Sequence, residues 1–210
     1  MTHPTPFQIT RGTAALCLAL ATSWPAQAQT SGTTGSGMRA GNGYSLLPYT
    51  TSGYAGINLG KPDIRSACAA SFSCGDADLA AYVYTGGLVN DVLGIELGYV
   101  NTGGANRNGG KTRAQGVNLS LVVRVPLGDF NLFAKAGGLY GQTRVSADAA
   151  SGVATGKESG WGGTYALGAG YDFTPQLGVV LEWARNEFRF AGGGGRQDVD
   201  SLSLGLVRRF

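Results

Sequence analysis

Apolar residues alternate with small or polar ones along most of this chain, which is the pattern of β-strands that have two different faces. The C-terminal stretch DSLSLGLVRRF keeps this alternation up to the final residue, Phe210. Eight such segments are predicted as strands, at residues 53–61, 79–89, 93–101, 115–125, 130–145, 160–173, 178–188 and 200–210. No segment has a convincing helical period, so the sequence predicts an all-β fold.

The connections between these segments alternate between short and long. Three short turns are predicted at Asn90–Asp91, Pro126–Asp129 and Thr174–Gln176. Four longer connections, rich in Gly, Ser or Asn, cover about 62–78, 102–114, 146–159 and 189–199. An up-and-down sheet with this rhythm has all its short turns at one end, which is the layout of a transmembrane barrel with short periplasmic turns. In a closed barrel the last strand pairs with the first, so the chain can end in mid-strand without an exposed edge.

The two faces of the strands distinguish a membrane barrel from a soluble eight-stranded barrel such as a lipocalin, which has the faces reversed. One face is predicted to be large and apolar, and its residues are Ile57, Leu59, Tyr82, Tyr84, Leu88, Leu93, Ile95, Leu97, Tyr99, Val117, Leu119, Leu121, Val123, Val125, Leu132, Tyr165, Leu167, Tyr171, Phe173, Val179, Leu181 and Trp183. The other face is mostly Gly, Ala, Ser and Thr, which fit a narrow lumen. Neither face carries the many Lys and Glu side chains of a water-facing exterior. The sequence therefore predicts an eight-stranded antiparallel up-and-down transmembrane β-barrel.

The N-terminal residues have the composition of a secretory signal peptide. Arg11 precedes the short apolar stretch TAALCLALA, and AQA at 26–28 fits cleavage after Ala28. We predict a signal peptide at 1–28, a flexible linker at 29–52 and the barrel at 53–210. Together these features predict location in the outer membrane of a Gram-negative bacterium.

The composition of the mature chain argues against several classes of function. Loss of residues 1–28 removes Arg11 and no acidic residue, so the formal charge changes from 16 − 13 = +3 to 15 − 13 = +2, and no nucleic-acid partner is predicted. The single histidine, His3, lies in the signal peptide, so the mature chain has no histidine for acid–base or nucleophilic chemistry. We predict that the protein is not an enzyme and needs no cofactor or metal.

Two cysteines, Cys68 and Cys74, lie in the stretch CAASFSC of the first long connection. In an oxidising compartment, a pair of cysteines this close in one connection favours a disulfide bridge. A metal site and a redox pair are the alternatives, and the lack of any histidine or further cysteine in the mature chain weakens both.

The alternation places five charged residues on the inward face: Glu96, Arg124, Lys135, Asp172 and Glu182. Glu96, Lys135 and Glu182 each lie about five residues from the short turn that adjoins their strand. They are therefore expected at the same height along the barrel axis, roughly 13 Å from the periplasmic end. Arg124 and Asp172 are expected near the periplasmic mouth. Charges enclosed in a lumen must pair, which favours a buried ionic plug.

The positions of these charges allow two other roles. Lys135 could exchange between Glu96 and Glu182 and so gate a narrow conduit. A catalytic pair formed by the two glutamates is disfavoured, because a substrate has poor access to a filled eight-stranded lumen.

Six segments, taken in order, resemble the OmpA-like eight-stranded outer-membrane barrels: GYAGINLG, CAASFSC, GIELGYVNTGG, FAKAGGLYG, GAGYDFTPQLGVVLEW and SLSLGLVRRF. The resemblance covers about 53–210. It implies that both termini lie in the periplasm, that the barrel assembly machinery recognises the terminal Phe210, and that the lumen holds a gate.

The chain departs from this family in three ways. Val83 stands where many relatives carry a lysine in the second strand, and Arg208 stands where an aromatic residue is common. The peptidoglycan-binding domain of the longer relatives has no counterpart in the sequence, so a wall-anchoring role is not expected.

The sequence thus predicts a non-enzymatic outer-membrane barrel that contributes to envelope integrity and displays four surface loops. A narrow conduit for small solutes or ions and a loop-mediated adhesion or binding module are the alternatives. The loops are polar and poor in aromatic residues, which weakens a strong adhesive role. The expected partners are outer-membrane lipid and the assembly machinery, and the sequence names no solute or surface ligand.

Overall fold

The computed structural model describes residues 47, 50, 52–64, 74–191 and 195–210. Nine strands are described, with the bounds Ser52–Ile64 (β1), Cys74–Ala77 (β2), Ala80–Leu88 (β3), Leu93–Arg107 (β4), Gly110–Leu127 (β5), Phe130–Val145 (β6), Gly156–Asp172 (β7), Leu177–Arg189 (β8) and Arg196–Arg209 (β9). A short 3₁₀ turn lies at Ala149–Ser151. Within these ranges, no helix is long and apolar enough to cross a membrane.

Every pair of neighbouring strands is antiparallel, and the sheet closes on itself. β1 pairs with β3 on one side and with β9 on the other. β2 and β3 both pair with β4, so they form two parts of one barrel strand that is interrupted at Asp78–Leu79. The fold is a closed eight-stranded antiparallel barrel, which confirms the predicted fold class.

The C-terminal strand is held on both sides, as the sequence predicted. β9 pairs with β8 and with β1, and Phe210 exchanges two backbone hydrogen bonds with Gly53, at 3.0 and 3.3 Å. The barrel therefore has no free strand edge at the end of the chain.

The three short connections lie where they were predicted. They are the residues 89–92, 128–129 and 173–176, which join β3 to β4, β5 to β6 and β7 to β8. All three lie at the same end of the barrel as Ser52 and Arg209, and we call this the short-turn end. The opposite end carries the remaining connections.

The prediction of a long loop at 102–114 is wrong. β4 runs to Arg107 and β5 begins at Gly110, so a two-residue turn joins them. Asn108 has a φ of 52° and Gly109 a φ of 71°, the two positive values that a type I′ hairpin turn requires. Asn-Gly is a strong hairpin signal, but the many Gly and Asn residues around it gave the whole segment the composition of a loop.

The other connections at this end are shorter than predicted, because the paired strands continue further. β6 and β7 pair up to Val145 and Gly156, and β8 and β9 pair up to Arg189 and Arg196. The remaining connections are 146–155 and 190–195, of which residues 192–194 lie outside the described ranges. The first connection, 65–73, also lies outside them. One of the four predicted surface loops is therefore a regular β-hairpin.

The outward face is apolar, as predicted. Large hydrophobic residues are exposed along every barrel strand, including Ile57, Leu59, Val83, Leu97, Tyr99, Val117, Leu119, Leu121, Val123, Val125, Leu132, Leu167, Leu181, Trp183, Leu202, Leu204 and Leu206. Such a continuous apolar belt suits hydrocarbon rather than water. At the short-turn end, the ring of Tyr171 packs against those of Phe130 and Phe173, with centroids 4.8 and 5.2 Å apart, as in an interfacial girdle.

The predicted face of β3 is wrong. Tyr82, Tyr84 and Leu88 were assigned to the outward face, but Tyr84 is only 5% exposed and Val83 is 50% exposed. Apolar residues occupy both faces of AAYVYTGGL, so alternation alone could not orient this strand. Glycines on the neighbouring strands make room for the rings: an added Cβ would lie 2.4 Å from Tyr84 at Gly56 and 2.3 Å from Tyr82 at Gly98.

This correction also changes the meaning of Val83. Because its side chain lies on the lipid-facing side, Val83 does not occupy the lumen position at which related barrels were expected to carry a lysine. The inward residues of β3 at this level are tyrosines, and they contribute hydroxyl groups instead of a charge.

Candidate functional site

The structure brings three of the predicted lumen charges together, and we call Glu96, Lys135 and Glu182 the central cluster. They lie on β4, β6 and β8, and their side chains are 1–7% exposed. The Lys135 Nζ atom is 2.7 Å from Glu96 Oε1 and 2.7 Å from Glu182 Oε2. One ammonium group therefore bridges two carboxylates that project from separate strands across the lumen.

The two carboxylates are not equivalent. Glu96 accepts hydrogen bonds from Lys135 Nζ at 2.7 Å, from the Tyr82 hydroxyl at 2.8 Å and from the Tyr54 hydroxyl at 3.0 Å. Glu182 Oε2 is equally close to Lys135, but it lacks hydrogen-bond geometry with any described group. Lys135 is thus hydrogen-bonded to Glu96 and paired with Glu182 mainly by charge.

Aromatic rings surround the ammonium group of Lys135. The Nζ atom lies 4.6 Å from the ring centroid of Tyr84, 5.1 Å from that of Phe133 and 5.4 Å from that of Tyr82. Tyr82 and Tyr84 stack on each other with centroids 5.0 Å apart. Cation–π attraction of this kind stabilises a desolvated ammonium group and restricts where it can move.

Sequence reasoning missed these aromatic partners, because it placed Tyr82 and Tyr84 outside the barrel and gave Tyr54 no role. The signal that could have found them is the glycine opposite each ring. An added Cβ at Gly86 would lie 2.1 Å from the ring of Tyr54, so the large side chain occupies the space that the glycine leaves.

The other two predicted lumen charges, Arg124 and Asp172, lie at the short-turn end. Arg124 Nη2 is 3.3 Å from Asp172 Oδ2, and Arg209 Nη1 donates a hydrogen bond to Asp172 Oδ1. We call these three residues the mouth cluster. Their side chains are 18–20% exposed, so water reaches them more easily than it reaches the central cluster. Sequence reasoning missed Arg209, although its parity with Gly205 and Val207 already placed it inward.

Two small cavities flank Lys135. The one towards the short-turn end has a volume of about 50 Å³ and also touches Glu96 and Arg124. The one on the other side has a volume of about 30 Å³ and also touches Asn118 and Glu182. Each is large enough for a few water molecules. Lys135 lines both cavities, so its side chain separates them.

Beyond the second cavity, apolar side chains fill the lumen. We call this cluster the distal plug, and its residues are Ile64, Val100, Ala105, Ala114, Leu139, Phe188, Phe190 and Val199. Phe188 and Leu139 are 1% and 0% exposed. Sequence reasoning expected small residues along the whole lumen and did not predict this plug. Here too glycines make the room, since an added Cβ at Gly141 would lie 2.5 Å from the ring of Phe188.

Several predicted features lie outside the described residues. Cys68 is among them, and Cys74 is described only as part of the β2 backbone, so the disulfide bridge stays a prediction. The signal peptide at 1–28 and most of the linker at 29–52 also lie outside. The recognition of Phe210 by the assembly machinery is untested. Within the described part, no group of three or more His, Cys, Asp or Glu residues could hold a metal ion.

The fold and its charged, closed lumen define a transmembrane β-barrel of the outer-membrane type. A family model for the outer membrane protein beta-barrel domain matches residues 14–210. The chain belongs to this family of eight-stranded outer-membrane barrels. No curated protein matches the sequence.

Three solved structures share the barrel. Neisserial surface protein A, NspA, has a TM-score of 0.56 at 13% identity, over 76% of this chain and 96% of its own. Ail of Yersinia pestis, the attachment invasion locus protein, has a TM-score of 0.52 at 13% identity, over 76% of this chain and 98% of its own. The N-terminal barrel domain of Pseudomonas aeruginosa OprF has a TM-score of 0.52 at 10% identity, over 75% of this chain and 97% of its own. Identities this low establish the fold alone.

Proposed function

We propose that the protein is a non-conducting, non-enzymatic outer-membrane barrel that contributes to the integrity of the envelope. The observation that carries this proposal is the closure of the lumen at two levels by different chemistry. Lys135 closes it with a charge network, and the distal plug closes it with apolar side chains. A solute would have to pass both.

The two closures are costly to open. Moving Lys135 away from Glu96 and Glu182 would leave buried carboxylates without a counter-charge, which typically costs several kcal/mol. Removing a side chain such as Phe188 from the distal plug would expose apolar surface worth about 1.5–3 kcal/mol. Because the charge network and the distal plug lie at different levels of the lumen, opening one of them does not lower the free-energy cost of opening the other.

The same geometry supports a non-enzymatic role. The cavities beside Glu96 and Glu182 have volumes of about 50 and 30 Å³, well below the ~300–1,000 Å³ of typical ligand sites. Both carboxylates are already engaged by Lys135. A substrate would have neither space nor a free acid–base group.

Planar-bilayer recording on the refolded protein tests this function. We expect no steady current above that of the bare bilayer for the wild type, for Lys135→Met and for Phe188→Ala, because each variant keeps one closure. A defined channel in the wild type would contradict the proposal. In cells, loss of the protein should increase uptake of a bulky apolar dye, and the non-conducting wild type should restore the barrier.

A gated conduit is the second candidate, and one observation favours it. Lys135 Nζ is equally close to both glutamates but has hydrogen-bond geometry only with Glu96. A small rotation could exchange the partners and join the two cavities. For this to produce a conduit, the distal plug must open as well. A double variant, Lys135→Met with Phe188→Ala, that conducts while both single variants stay closed would show that the closures act in series.

A further inference from the structure

The register of β5, β6 and β7 arranges their outward side chains in three successive rows at the end opposite the short turns. The rows, each made of directly paired residues, are Val117, Tyr140 and Trp161, then Gln115, Gln142 and Ser159, then Arg113, Arg144 and Lys157. All nine side chains are exposed. Moving away from the barrel centre, the wall thus changes from apolar and aromatic, to hydrogen-bonding, to cationic.

The distances along β5 place these rows relative to the membrane. The outward side of β5 is apolar from Leu127, at the short-turn end, to Val117. Ten residues at ~3.3 Å each and a tilt of ~40° span roughly 25 Å, the height of the apolar band of an outer-membrane barrel. By the same measure, Gln115 lies roughly 5 Å and Arg113 roughly 10 Å beyond the hydrocarbon, at the depth of lipid head groups.

The described side chains provide no compensating acid for the cationic row. Arg113 lies directly opposite Arg144, which in turn lies opposite Lys157, and like charges in this position destabilise a sheet. Among the described residues, none of the three has an acidic side chain within ion-pair distance. By contrast, Arg185 on β8 binds Asp200 through two hydrogen bonds of 2.7 and 3.0 Å.

A depression in the wall adjoins the cationic row. Its volume is about 420 Å³, and its lining includes Asn101, Lys111, Arg113, Gln115, Gln142 and Arg144. A bulge in β4 between Asn101 and Gly104 helps to shape it, and Gly103 has a φ of +68° there. Lys111 borders it and pairs with Asp78 at 3.3 Å. The volume lies within the usual range of ligand sites.

We propose that this surface binds the phosphorylated sugar head group of an outer-leaflet glycolipid. Arg113 and Arg144 would engage phosphate, since guanidinium groups match phosphate oxygens in a bidentate way, and Lys157 would add a third positive charge. Gln142 and the amide NH₂ group of Gln115 hydrogen-bond sugar hydroxyls at the depression, since Gln115 Oε1 already accepts a hydrogen bond from the Tyr99 hydroxyl at 3.2 Å. The acyl chains lie against the row of Val117, Tyr140 and Trp161. An amphiphile fits best, because its three parts follow each other in the order of the three rows, whereas a soluble anion would use the cations alone.

The test uses the complete barrel, purified and reconstituted in neutral lipid discs that contain a small fraction of bisphosphorylated lipid A or its dephosphorylated form. Retention of each glycolipid is measured by native mass spectrometry after delipidation. We expect bisphosphorylated lipid A to be retained at least about tenfold better, because only the phosphorylated form makes charge-assisted hydrogen bonds to the cationic row. Arg113→Gln with Arg144→Gln should abolish most of this preference.

The matched control is Lys61→Gln with Arg208→Gln, which removes two exposed cations from other parts of the outer wall. This control should stay within about twofold of the wild type in retention.

A shift in gel mobility on heating shows that each variant is folded. If the test variant does not fold, rising salt should weaken retention of the phosphorylated form by the wild type. Equal retention of both lipids, full competition by inorganic phosphate, salt-independent retention, or an unchanged test variant would each overturn the proposal.

Discussion

The two charged clusters of the lumen contain the same kinds of groups in opposite proportions. The central cluster has one cation and two carboxylates, whereas the mouth cluster has two cations and one carboxylate. Their burial also differs, since the side chains are 1–7% exposed in the centre and 18–20% exposed at the mouth. The formal charges, −1 and +1, cancel along the barrel axis.

This difference shows that the surroundings of an ion pair decide its energetic role. In the centre, Lys135 is enclosed by Tyr82, Tyr84 and Phe133, and the cavities beside it hold only a few water molecules, so hydration replaces a lost partner only in part. At the mouth, water can hydrate Arg124 and Arg209 when Asp172 is removed, and salt can screen them. The central cluster is therefore expected to hold the barrel together, and the mouth cluster to have a smaller, salt-dependent effect.

The largest effect is expected for Lys135→Met, which keeps most of the stem volume but leaves Glu96 and Glu182 facing each other without a cation. Loss of one partner of a buried pair typically costs ~3–5 kcal/mol in the free energy of unfolding. Denaturant unfolding in lipid vesicles at neutral pH should show this loss.

The control for this variant is Leu121→Met, a substitution at a lipid-facing residue that is 67% exposed. Its unfolding midpoint should stay close to that of the wild type. If Lys135→Met also matched the wild type throughout, the central cluster would not stabilise the barrel, and the contrast with the mouth would be lost.

A second pair of variants tests the inequality of the two central carboxylates. Glu96→Gln weakens an acceptor of three hydrogen bonds and should lower the free energy of unfolding by about 1–3 kcal/mol. Glu182→Gln removes one of two negative charges and leaves Lys135 paired with Glu96, so its effect should be smaller. The same unfolding assay measures both, and a larger loss for Glu182→Gln would reverse the assignment.

The smallest effect is expected at the mouth. Asp172→Asn leaves Arg124 and Arg209 without their shared carboxylate, but both can be hydrated, so the loss should be about 1 kcal/mol or less. Because the two remaining cations repel each other, raising the salt concentration should bring the variant closer to the wild type. A loss as large as that of Lys135→Met, or one insensitive to salt, would show that the mouth is as dry as the centre.

Much of the fold could be predicted from the sequence, because two independent patterns agreed. The alternation of residues gave the strands, and the positions of the short turns gave their order and direction. The same counting put Glu96, Lys135 and Glu182 at one level, since each lies a similar number of residues from a short turn. Local patterns of this kind depend on the chain itself and need no knowledge of how the strands are paired.

The features that could not be predicted depend on register between strands. Tyr84 fits into the lumen because Gly56 lies opposite it, and Phe188 fits because Gly141 leaves space across the lumen. Neither relation is visible in a single segment. The β4–β5 hairpin was missed for a different reason, because the Asn108–Gly109 signal lay within a stretch that has the composition of a loop.

The pairing of β1 with β9 has a consequence for the order in which the barrel folds. We call this pairing the closing seam. Tyr54 and Arg209 are paired across it although they are 209 − 54 = 155 positions apart in the sequence. All other pairings join strands that follow each other along the chain in the barrel. Contacts between distant residues form late, because a long loop must first be closed. The seam can form only after the last strand has been synthesised. Until then both edge strands can pair with other chains, so closure of the barrel must follow the synthesis of β9.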